Sequence, residues 1–167
     1  FDDGRSAEHI LGAPLVQPPE VISFKAVEKE VPEACSFNFL DADMLRREDS
    51  QPLFSKRYQD IIKVDKSMFV TKEIRMHLVI NHAYLDEILI VSHRWEEKGA
   101  PDPSGRQECE IRKFLKDNPK FKFVWHDFWC LPQEKRSFQE NETFQQMLLK
   151  VNLCYLAATV LILLDDE

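Results

Sequence analysis

The sequence predicts an α/β fold: three layers, with a mostly parallel sheet between flanking helices. Three observations carry that expectation. Ile88–Val91, Phe121–Trp125 and Thr159–Leu164 are short, largely apolar runs, the pattern of strands buried on both faces. Segments with helical spacing separate them, and such alternation favours parallel pairing through right-handed crossovers. Each strand then ends on polar residues: Ser92-His93, His126-Asp127 and Asp165-Asp166.

Taken in order, residues 1–70 read as an irregular N-terminal extension packing on a core at 71–167. Pro14, Pro18, Pro19 and Pro32 break any helix early in it. Tyr58–Asp65 reads as a short helix within it. Met76, Val79, Ile80 and Ala83 then recur at helical spacing. After the first strand, Glu96–Gly105 carries Pro101 and Pro103, which exclude helix and central strand. Ile111, Phe114 and Leu115 mark a short amphipathic helix stopped near Pro119. Ser137-Phe138-Gln139-Glu140 is a capping-box pattern. The helix it opens carries Phe144, Met147, Leu148, Val151 and Tyr155 on one face. The first strand is expected at the centre of the parallel trio. The fully apolar third strand predicts that the polypeptide continues past Glu167, or that another chain covers the sheet.

Composition narrows the function. The chain has 167 residues and a net charge of −7, which argues against a nucleic-acid footprint. The longest apolar run, from Val151 to Leu164, is too short to cross a bilayer. The N-terminus lacks a signal-peptide pattern, and it opens on Phe1 rather than Met, as a fragment of a longer protein would. Cys35, Cys109, Cys130 and Cys154 form no CxxC pair, so a reducing, cytoplasmic setting is expected. Cys109 and Cys154 fall in helical patterns, where a free thiol packs as a small hydrophobe. Only four glycines are present, with no GxGxxG or Walker pattern, which removes the usual phosphate-loop fingerprints.

In open α/β sheets the ligand crevice lies outside the carboxyl ends of the strands. The candidate site therefore comprises Ser92, His93, Arg94 and Trp95 after the first strand, Asp127, Trp129, Cys130 and Gln133 after the second, and Asp165 after the third. Arg94 offers a fork of donors for phosphate or carboxylate, and Trp95 a face for stacking a base. The structural alternative packs Trp95 under the proline loop and pairs Arg94 with Glu96 or Glu97. Asp127 suits a ribose hydroxyl; equally, it suits local capping or an ion pair with Arg94 across the crevice, one that orients Arg94 toward a ligand. A Cys130 nucleophile with His93 or His126 as base, and a zinc site from His93, His126, Cys130 and Asp165, have the right residue types, but no recognised spacing supports them. The residues assign no catalytic group and no resident metal.

At these positions the sequence resembles a known family. Ser92-His93-Arg94-Trp95 is similar to the S-Y-x-W motif of heterokaryon-incompatibility (HET) domains. Trp125 to Gln133 resembles their W-I-D-x-x-C-I-N-Q motif at Trp125, Asp127, Cys130 and Gln133. Glu142, Met147, Tyr155 and Ala158 follow an E…M…Y…A pattern like that of the family's next helix. The family's Tyr is His93 here, its Gly is Glu96 and its Asn is Pro132. The resemblance covers roughly residues 88–165. It implies a fold like that of Toll/interleukin-receptor (TIR) domains, and flavodoxin-like in outline. It further implies a signalling or effector role and an NAD-like nucleotide at the strand ends, with NAD as a possible substrate for cleavage. Protein partners or self-association are implied too. In the TIR domains that cleave NAD⁺ the catalytic Glu lies on a helix after a later strand, and no such helix is expected between the third strand and Glu167. The alternative is a non-catalytic interaction or structural module that keeps the fold.

Overall fold

The computed structural model describes residues 34–164. They form a five-stranded mixed sheet of order β2-β1-β4-β3-β5, flanked by helices. β1 (Ala34–Asp41) enters the sheet through strict alternation: Cys35, Phe37 and Phe39 are buried, while Ser36 and Asn38 between them are more exposed. Helices α1 (Ala42–Arg46) and α2 (Tyr58–Val64) follow, and then β2 (Phe69–Arg75), which pairs antiparallel with β1. A short helix, α3 (Met76–Ile80), turns the chain toward β3 (Ile88–Ser92). Ile88, Leu89, Ile90 and Val91 are each no more than 1% exposed, so β3 is covered on both faces.

α4 (Arg106–Asp117) leads to β4 (Phe123–Trp125), which runs parallel to β3. α5 (Asp127–Cys130) is a single turn at the end of β4. α6 (Phe138–Ala157) returns the chain to β5 (Thr159–Ile162), parallel to β3 on its other side. β3 thus lies between its two parallel partners, as expected. No helix among the described residues is long and apolar enough to cross a membrane.

Four expectations need correction. The sheet is mixed rather than mostly parallel, because β1 pairs antiparallel with both β2 and β4. The region assigned to an N-terminal extension supplies β1, and β2 runs through the boundary at residue 70. β1 occupies a position inside the sheet rather than wrapping it; residues 1–33 lie outside the described residues. Among the described residues β5 is an edge strand, not a buried one. Val160 and Ile162 are 37% and 64% exposed, while Leu161 and Leu163 turn inward against the core. Cys109 is exposed, not packed; Cys154 is buried as expected.

The capping box at the start of α6 is complete. Glu140 N–H donates to Ser137 Oγ at 3.2 Å, and Ser137 N–H donates to Glu140 Oε2 at 2.7 Å. Ser137→Ala should lower stability by about 1 kcal/mol in a urea melt, because a first-turn donor loses its acceptor. A change near zero would mean that solvent replaces the cap.

Candidate functional site

In an extended segment, side chains two residues apart point to the same side. His93 and Trp95 share one side, and both reach Asp127 at the start of α5. His93 Nε2 lies 2.9 Å from Asp127 Oδ1, and Trp95 Nε1 donates to Asp127 Oδ2 at 3.1 Å. The Phe128 N–H donates to Oδ1 at 2.6 Å. Arg94, on the other side of the segment, is not among the donors to Asp127. The expected Arg94–Asp127 pair is therefore replaced by a His93–Asp127 pair, a consequence of strand alternation. The Arg94 side chain is exposed, and its carbonyl accepts from Gln107 Nε2 at 3.0 Å.

Gln107, on α4, completes the clamp. Its Nε2 donates to the carbonyls of Arg94 and Pro101, which turns Oε1 toward His93 Nδ1 at 2.8 Å. Burial pushes the Asp127 carboxyl up. The His93 hydrogen bond outweighs that, helped by both imidazoles and the Trp95 bond, and holds the group below the usual carboxylate range. Asp127 is thus ionised, and each nitrogen of His93 faces an acceptor.

His126 lies flat between His93 and Trp129, with ring centroids 4.1 Å from each. It is 2% exposed, and burial first, then the neighbouring His93, drops its pKa to about 3. Its Nδ1 has no hydrogen-bond partner among the described residues; Asp127 Oδ1, at 3.7 Å, is too far. Ligand atoms of His93, His126 and Asp127 lie within 4.8 Å of one another, a set of types that suits a metal. The two imidazoles are stacked, however, so their in-plane lone pairs leave side by side instead of converging on one point. Cys130 does not join them. It is fully buried, its thiol donates to Val124 O at 3.6 Å, and burial pushes its pKa up to about 12, which leaves no thiolate for attack or coordination.

Above this clamp opens a cavity of about 750 Å³ at the carboxyl ends of β3 and β4. Trp95, Trp125 and Asp127 line its strand side, and Phe144, Val151 and Tyr155 of α6 line the facing wall. Arg57, Lys98, Lys135 and Arg136 stand around it, against two carboxylates, Asp127 and Glu134. The Arg136 guanidinium lies 3.5 Å over the Phe144 ring, while its Nε donates to Pro132 O. Asp127 uses three of the roughly four acceptor positions of a carboxylate, and its side chain is 36% exposed. One acceptor position on Oδ2 is therefore left for a ligand hydroxyl.

Of the residues expected at the site, His93, Trp95 and Asp127 come together as one unit. Gln133 lines the cavity, but its amide is held by the carbonyls of Asp127 and Leu131. Trp129 is buried and donates to Leu53 O at 3.1 Å. Ser92 ends β3, with its carbonyl accepting from Leu163 N. Asp165 lies outside the described residues. Sequence reasoning had Trp125 only as a motif position and missed Gln107, Arg57 and the cations of the 134–136 turn. Charge density at Lys135-Arg136 was the one local signal; Gln107 and Arg57 arrive from distant segments.

The fold and site define an α/β chain with a strand-end cavity that is cationic and aromatic. Compared with protein-family models, curated proteins and solved structures, the chain matches none of them.

Proposed function

We propose that this is a HET/TIR-like signalling or effector domain, with the three-layer arrangement of that class, binding an NAD-like nucleotide at the strand ends. One observation carries the reading. In a chain of net charge −7, the cavity lining gathers four cations, of which Arg57 is paired with Asp60, against two carboxylates. Such local inversion of charge favours an anionic ligand. The aromatic walls suit a planar base, and the open position on Asp127 suits a ribose hydroxyl. The domain acts in the cytoplasm, and binding rather than cleavage is the function assigned to these residues.

The test is calorimetry of the full chain with ADP-ribose and NAD⁺, run beside an assay for nicotinamide release. ADP-ribose should bind, and Lys135→Glu combined with Arg136→Glu should weaken it roughly tenfold or more, about 1.4 kcal/mol per decade. Raising the salt should weaken binding in the parent protein. No heat and no competition at millimolar ligand would remove the reading. Nicotinamide release would extend it to catalysis.

A second reading, a non-catalytic interaction module, rests on a different observation. Val160 and Ile162 on the edge strand, with Leu149 and Leu156 on α6 at 79% and 72% exposure, leave apolar surface uncovered. Self-association or protein partners would cover it. A mass that rises with concentration, in protein indifferent to nucleotides, would favour this second reading.

A further inference from the structure

The chain has three tryptophans, and an indole N–H can only donate. Trp95 Nε1 is satisfied by Asp127, and Trp129 Nε1 by Leu53 O. Trp125 is 2% exposed, and its Nε1 has no partner among the described residues. A buried donor left unmade costs enough that it calls for an explanation. Trp125 is also one of the walls of the cavity, and its ring meets Tyr155 edge-on with centroids 6.0 Å apart.

We infer that Trp125 Nε1 is the donor that selects the planar end of the ligand, pairing with a carbonyl oxygen or ring nitrogen on a heterocycle's edge. This inference rests on the nucleotide reading of the cavity. The layout of α6 supports it. Phe144 carries Arg136 at one end of the cavity wall, and Tyr155 meets Trp125 at the other. These two positions are about 16 Å apart along the axis at the ordinary helical rise. A ligand with its anionic group at Arg136 and its ring at Trp125 therefore has the form of a nucleoside diphosphate. Tyr155 is kept as a neutral phenol, its pKa pushed up by burial and then by Asp127. The Trp125 nitrogen is screened from bulk water, so no solvent competes for it. Nε1 is occluded in this structure, so a heterocycle reaches it only with a shift of the side chains packed around the indole.

The experiment uses full-length protein labelled with ¹⁵N at the tryptophan indoles. Three indole signals in different hydrogen-bonding states are followed as ADP-ribose, AMP or free nicotinamide is added. The orphan Trp125 proton should move downfield with whichever probe carries the recognised ring, while Trp129 stays fixed. Trp125→Phe keeps an aromatic ring but removes the donor, and it should weaken that probe roughly 2- to 10-fold. If Trp95 shifts while Trp125 does not, and Trp125→Phe binds like the parent, the inference is overturned and the cavity reading stands. If no indole responds at millimolar probe, both fall. The spectrum of the parent protein decides the question even if the variant does not fold.

Discussion

Replacing Asp127 with alanine should lower the stability of the folded chain by about 3 kcal/mol. A buried donor left without its acceptor costs about 1–3 kcal/mol, and the partial exposure of Asp127 keeps the sum over its three donors to about 3 kcal/mol. The substitution withdraws the acceptor from His93 Nε2, Trp95 Nε1 and the Phe128 N–H together. His93 suffers most, because its side chain is 3% exposed and water cannot stand in. Asp127→Asn keeps the shape but sets an NH₂ against one of these donors, so it should cost roughly half as much. Urea melts of both variants and of the parent, at one pH, give the numbers. A loss below about 1 kcal/mol for the alanine variant would show that the clamp is solvated and adds little.

Acid should destabilise the protein well above the range where carboxylates titrate. The unfolded chain protonates His126 around the ordinary histidine value of 6.5, whereas the folded chain refuses the proton until about pH 3. Across that window the unfolded state holds more protons, so stability is full above about pH 6.5 and falls as pH is lowered. The total is on the order of 5 kcal/mol at 1.36 kcal/mol per pH unit. Asp127 adds to the loss in the same direction, but only below its ordinary value of 3.8, as its depressed carboxyl at last protonates. His126→Phe keeps a ring between His93 and Trp129 and removes the titration. It should flatten the pH dependence between 6.5 and 4. Parallel pH profiles of the variant and parent protein would contradict this account.

The parallel trio was legible in the sequence because each of its strands is an apolar run flanked by helical spacing. The capping box was legible because it is local, needing only Ser137 and Glu140. β1 was missed although Cys35, Phe37 and Phe39 alternate with polar residues. An alternating strand is a weaker signal than a continuous apolar run, and four nearby prolines drew the whole region into an extension. The exposure of β5 was illegible for another reason. Val160 and Ile162 have the composition of a buried strand, and only the order of the sheet shows that β5 has no neighbour beyond it among the described residues. At the site, local sequence placed His93, Trp95 and Asp127 near one another but chose the wrong partner for Asp127. Alternation past β3 decides between His93 and Arg94, and it acts only once the segment is known to be extended. Gln107 and Arg57 come from α4 and the start of α2, and no local pattern announces them.

α6 and β5 are joined by Ala158 alone. A longer connector would have slack, and a small shift of the helix would die out within it. Here there is almost none. The next residue, Thr159, is already in register with Leu89, and its hydroxyl is fixed to Leu85 O at 2.7 Å. One side of the same helix walls the cavity through Phe144, Val151 and Tyr155, while Leu149 and Leu156 look outward. The helix is therefore a stiff rod with its far end bolted to the rim of the sheet. Any push on its inner wall has only that rim, or the rod's own turns, in which to be absorbed.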